Sequence, residues 1–255
     1  MKKKKRKSEK ALVIFSIIIT AIVLLIIAVA SYKGVKQDKK SNEEEKKIEA
    51  LKIQNEENIK QRELGEGPDF TVLQNQNSDV YAYLVIEGTP VDYPILQSAD
   101  GSIDYLNTTI DKQEGLPGSV YTENVNSQDF HDANVVVYGH NMKDGSMFAS
   151  LLNYRDKNYL IEHPDIIVYL PDEKITYHIY AAVTFDDRYI MDSYNFDTLS
   201  GREEYLNDIR TFGENGGVFQ DDIVPTKENQ LITLSTCTDN PDERFLVVGV
   251  KVNEE

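Results

Sequence analysis

Residues 231–252 read LITLSTCTDNPDERFLVVGVKV. Two β-branched, apolar runs, Leu231–Cys237 and Arg244–Val252, flank the polar connection Thr238–Glu243, which holds an Asn-Pro pair and three acidic residues. This pattern predicts two strands joined by a short turn. Paired antiparallel, they set Arg244 beside the end of the strand that carries Cys237. Alternation along the first strand puts Thr233, Ser235 and Cys237 on one side and Leu234 and Thr236 on the other. Cys237 is the only cysteine of the 255 residues. It stands where backbone leaves the sheet, on a face of hydroxyls rather than aliphatics. Two readings stay open at this level: a small buried hydrophobe, or a thiol nucleophile at a rim.

The same β-branched and aromatic pattern extends upstream. Val80–Ile86, Val91–Leu96, Ser119–Thr122, Asn134–Gly139, Ile166–Leu170 and Ile175–Phe185 are six further strand candidates separated by turn residues. Eight short strands in one domain point to a mainly β fold, a barrel or sandwich, because closure removes exposed edges. Two helical insertions are expected: "GSMFASLLNYRDKNYLIEH" after the fourth strand, and "DTLSGREEYLNDIRTF" between the sixth and seventh. In the second, Leu199, Tyr205, Leu206 and Ile209 are the apolar positions.

The chain carries a formal charge of −16, but its ends differ. Residues 1–40 hold 11 Lys+Arg and 2 Asp+Glu, so the remainder is strongly acidic, at a net −25. A basic tail, residues 1–10, precedes twenty uncharged residues, 11–30, that as a helix span about 30 Å, one bilayer core. Signal-peptide apolar regions are shorter, so the expectation is an uncleaved single-pass anchor with a cytoplasmic N-terminus and an extracellular domain. Residues 31–78 read as a juxtamembrane stalk and N-terminal helix, broken by "GEGP" at residues 65–68, and residues 79–255 as the globular domain. An acidic exterior excludes nucleic acid as a natural partner. One cysteine makes no internal disulfide, and no Cys/His cluster has metal-ligand spacing.

A thiol with an ordinary pKa is only about 3% ionised at pH 7, so a nucleophilic Cys237 needs a base or cation beside it. Of four histidines, His140 ends the strand "ANVVVYGH", a setting that mirrors that of Cys237. His131, His163 and His178 lie in a loop, before a proline and inside a strand, where packing roles are the default. Arg244 is placed to stabilise a thiolate or an oxyanion. Its alternative is an ion pair with Asp239, Asp242 or Glu243 in its own turn, worth little when exposed.

"TLSTC" with an arginine seven residues on, "VVVYGHNMKDGSMFASL" upstream and "YLVIEGTPVDYPILQSADGSIDYLNTT" before that resemble the sortase family, and most of all class B sortases. The resemblance runs from about Asp79 to Val252. It implies an eight-stranded β-barrel with an N-terminal helix and helical insertions, and a catalytic trio of Cys237, His140 and Arg244. It also implies substrate-lining roles for Ser235 and Leu106. Ser102 and Ile103 stand where the family commonly has an Asn, which leaves the motif preference open. The implied activity is cleavage of a C-terminal sorting motif of secreted proteins through a thioester, then transfer to a cell-wall amine such as a peptidoglycan precursor, with no cofactor or metal. A pilus-polymerising enzyme with a lysine acceptor, and a non-catalytic binding barrel with a structural cysteine, are the alternatives.

Overall fold

The computed structural model describes residues 67–252, which fall within one unit, Glu66–Glu255. The expected tail, anchor and most of the stalk lie outside the described residues. Among those described, no helix is long and apolar enough to cross a membrane.

A short helix, α1 (Phe70–Gln76), opens the fold, capped by the Asp69 carboxylate, which accepts from the Thr71 and Val72 amides at 2.9 and 3.2 Å. Strands β1 (Val80–Val85), β2 (Asp92–Leu96), β3 (Val120–Thr122) and β4 (Asn134–Tyr138) follow. A 3-10 helix (Ala149–Arg155), α2 (Lys157–Glu162), β5 (Asp165–Tyr169) and the 13-residue β6 (Lys174–Asp186) come next. Helices α3 (Ile190–Ser193) and α4 (Leu199–Gly213), then β7 (Val218–Phe219), β8 (Leu231–Cys237) and β9 (Glu243–Lys251), complete the fold.

Around the sheet the order is β5-β1-β2-β3-β4-β8-β9-β6, and pairing of β5 with β6 closes the ring into an eight-stranded barrel. The length of β6 makes this possible. Its first half pairs with β5; beyond an irregularity at Ile179/Ala181 the strand pairs instead with β7. Strand β7 therefore lies outside the ring, a two-residue addition that the sequence pattern did not predict because it is too short to alternate. Contacts β2–β3 and β4–β8 are parallel, the rest antiparallel.

Alternation sorts the side chains into an inside and two outside layers. Leu84, Ile95, Val137, Tyr177, Ile232 and Val247 belong to the interior core. On one outer face Leu73 of α1 packs with Val80, Tyr83 and Val85. On the other, Tyr205, Leu206 and Ile209 of α4 cover Val136, Val183 and Leu246. Each such aliphatic burial contributes about 1.5–3 kcal/mol, so α4 is held by the sheet rather than by helix propensity.

Two sequence expectations need correction. The first insertion is not one helix: at Asp156 the backbone is extended (φ −98, ψ 123), and its carboxylate caps α2 by accepting from the Asn158 amide. An N-cap inside the run beats the apolar periodicity. Leu199, counted as an apolar anchor of α4, is exposed. It sits in the first turn next to the Thr198 cap, ahead of the stretch that meets the sheet.

Candidate active site

Cys237, His140 and Arg244 come together through register. Cys237 pairs with Arg244 across the antiparallel β8–β9 ladder. Tyr138 pairs with Ser235 across the parallel β4–β8 ladder, and His140 and Cys237 each lie two residues further on. Parallel neighbours advance in step, so His140, Cys237 and Arg244 form a row at the ends of three adjacent strands, β4, β8 and β9. The row continues to β6, where Phe185 pairs with Arg244. It lies on the outer face, since Leu234 and Phe245 beside it point into the interior core.

The chains stay tied beyond the last paired residues. The Gly139 amide donates to the Ser235 carbonyl at 3.2 Å, and the Thr236 hydroxyl to the Gly139 carbonyl at 2.8 Å. A Cβ at position 139 would meet the Phe148 ring at 2.9 Å, so glycine is what lets this ring close over the strand end. The Asn141 side chain donates to the Cys237 carbonyl at 3.1 Å.

Cys237 is exposed, which decides against the buried-hydrophobe reading. The hydroxyl face that carries it is otherwise closed. Thr233 is fully buried, its hydroxyl bonded to the Tyr205 phenol at 2.7 Å and to the Asn134 amide oxygen at 2.9 Å, under α4. His140 is half-buried, and its Nε2 makes no hydrogen bond among the described residues. The other three imidazoles are engaged elsewhere: His131 Nδ1 with the Asp129 carbonyl, His163 Nδ1 with the Glu87 carbonyl, and His178 with Asp165.

Arg244 forms no ion pair in its turn. Its Nη1 donates to the Pro241 and Glu243 carbonyls, both at 2.9 Å, while the Glu243 carboxylate accepts from the Thr238 hydroxyl at 3.2 Å. Among the described residues the guanidinium is thus oriented without an ion-pair partner. Ser235 is buried at 5% exposure, beneath the nucleophile's side of the sheet. Leu106 is half-buried on the loop between β2 and β3, its carbonyl so close to Gly118 that a Cβ there would lie 1.9 Å away.

Residues that the motif reading passed over also line this face. Tyr121 stacks on Tyr138 with centroids 5.4 Å apart. Burial first, then the charges of Glu123, Asp104 and Cys237, push the Tyr121 phenol up, so the phenol lies within electrostatic reach of the thiol. Burial and Asp192 raise the Glu123 carboxyl. Arg244 pairs with Cys237 on the β9 side, while Glu123 directly follows β3, the other neighbour of β4. Tyr138, two residues before His140, could have been found by the period-two pattern; Tyr121 carried no signal without the β3–β4 pairing. Among the described residues no group of His, Cys, Asp or Glu is arranged to hold a metal ion.

A sortase-domain family model matches residues 84–252. Sortase B of Listeria monocytogenes is 34% identical over 171 residues, 67% of this chain and 67% of that protein. A Streptococcus pyogenes class B sortase involved in pilus biogenesis superposes with a TM-score of 0.61 at 31% identity, over 72% of this chain and 98% of that one. A Staphylococcus aureus sortase B–substrate complex, at 23% identity, shares the fold with a TM-score of 0.69 over 83% of this chain and 99% of that one. In both sequence and barrel architecture, the chain belongs to the sortase family of cysteine transpeptidases, within class B.

Proposed function

We propose that Cys237, His140 and Arg244 are the catalytic residues of a transpeptidase that attaches secreted proteins to a cell-wall amine. The observation that carries this reading is the row itself: an exposed cysteine between a histidine and an arginine that has no ion-pair partner among the described residues. Cys237 Sγ attacks the scissile carbonyl carbon of a C-terminal sorting motif. Arg244 stabilises the oxyanion, and His140 protonates the leaving amine as the C–N bond breaks. The thioester is then attacked by an acceptor amine, which gives its proton to His140 as sulfur leaves. Ser235 and Leu106 border the substrate; Ser235, being buried, acts through its place under the chain end rather than by wide contact. No cofactor is needed for these steps.

Residues 1–10 form the cytoplasmic tail, 11–30 the membrane anchor, 31–78 the stalk and N-terminal helix, and 79–255 the extracellular catalytic domain, on the charge and length arguments above. Likeness to the S. pyogenes class B sortase involved in pilus biogenesis keeps a lysine acceptor as the second reading. The test is incubation of the soluble domain with sorting-motif peptides, with and without amine acceptors, read by mass spectrometry. A thioester adduct on wild type and none on Cys237→Ala is the expected result. Full cleavage by Cys237→Ala would sink the proposal in favour of a binding barrel.

A further inference from the structure

We propose that Asn141 is a positioning residue for this centre: its side-chain amide ties the turn that carries His140 to the backbone of the nucleophile. The inference rests on the catalytic reading above. The regular β4–β8 ladder ends at Tyr138↔Ser235, two residues short of both reactive side chains. What fixes His140 relative to Cys237 must therefore act past that point. A carbonyl oxygen only accepts, so the Asn141 group that meets the Cys237 carbonyl at 3.1 Å is its NH₂. This bond joins the residue after His140 to the main chain of Cys237 itself.

The rest of the turn is braced independently. The Phe148 amide donates to the His140 carbonyl at 2.9 Å, Asn141 bridges to Met147, and the Met147 amide donates to the Tyr93 phenol at 2.8 Å. Those contacts hold the turn to the barrel interior and to β2, not to the nucleophile. With the Gly139 amide on the Ser235 carbonyl and the Thr236 hydroxyl on the Gly139 carbonyl, the Asn141 side chain bridges the two strand ends, and of these three bonds it is the one that reaches Cys237. Small displacements of reacting groups cost much more in rate than in stability.

The test compares wild type with Asn141→Ala, Asn141→Asp and His140→Ala. Asp keeps the shape, but once ionised it has no donor for the carbonyl. For cleavage of a sorting-motif peptide, kcat should fall about tenfold in both Asn141 variants with KM little changed. In parallel, the rate of Cys237 alkylation by iodoacetamide is followed across pH, which reads thiol–imidazole coupling without any peptide. The Asn141 variants should shift from the wild-type profile toward that of His140→Ala. Wild-type kcat together with a wild-type alkylation profile in Asn141→Asp overturns the inference, as does an alkylation profile that His140→Ala itself leaves unchanged. Failure of wild type to cleave any peptide counts against the proposed function, while the alkylation comparison still decides the role of Asn141.

Discussion

The two partners of Cys237 arrive by opposite routes. Arg244 comes from a hairpin: the strands adjoin in sequence, six residues separate the reactive positions, and the ladder runs unbroken through Cys237↔Arg244. His140 comes from a parallel neighbour 97 residues away in the chain, and regular pairing stops before reaching it. The hairpin places its residue by local geometry. The parallel contact needs side-chain tethers to finish what its ladder leaves undone, and so it is the side where the chemistry is easier to disturb.

Substitutions at the two partners test this difference at its strongest. His140→Ala should lower the acylation rate by about 10²–10⁴, the usual span for losing a general acid–base group. An unchanged rate in a stopped-flow assay would remove His140 from the mechanism. Arg244→Lys keeps the charge but loses the planar fork that donates to two carbonyls and, in the proposed mechanism, to the developing oxyanion. A drop of about 10²-fold is expected there; a lysine enzyme at full speed would show that charge alone suffices.

Away from the reactive atoms the effects shrink and change kind. Arg188 lies over the Phe185 and Phe212 rings, bonds Asp186 through Nε and Nη2, and bonds Asp208 through Nη1 at 3.0 Å. Its hydrogen bonds hold the Asp186 carboxyl below the usual range. Because Phe185 is the register partner of Arg244, Arg188→Ala should loosen the base of the α3–α4 insertion beside the row. A several-fold higher KM for peptide with kcat nearly kept is the expected split. Equal loss in both would place Arg188 with the reactive side chains instead.

Tyr205→Phe removes one buried hydroxyl from the Tyr205–Thr233–Asn134 chain and should cost about 1–3 kcal/mol of stability by denaturant titration, with acylation unaffected. The smallest effect is expected at Glu123. Its folded carboxyl is raised by burial and Asp192, so its contribution to stability is present below the ordinary glutamate range and is lost as pH rises through the raised value. Glu123→Gln should flatten that limb of the stability–pH curve; an identical limb would show that the charge is well solvated.

Legibility from sequence followed the same division between local and distant. The hairpin, its Arg244 and the cores of six of the other seven strands could be read from alternation and turn residues, because each is decided within about ten residues. That His140 stands level with Cys237 was suggested only by matching strand ends and by family resemblance, since no local pattern encodes which strands adjoin. Tyr121 and Asn141 were invisible for the same reason: their importance lies in partners on other strands. The break at Asp156 and the exposure of Leu199 show the opposite error, where a regular apolar spacing overrode cap chemistry that was present in the sequence.

The position of the β8–β9 hairpin between β4 and β6 has a kinetic consequence. Of the described strands it is the last to be made, yet the ring cannot close without it. Contacts so distant in sequence form slowly. A growing chain thus holds its imidazole early and its thiol late, and the two meet only when the final hairpin slots home, so an incomplete barrel carries no assembled centre with which to attack its own neighbours.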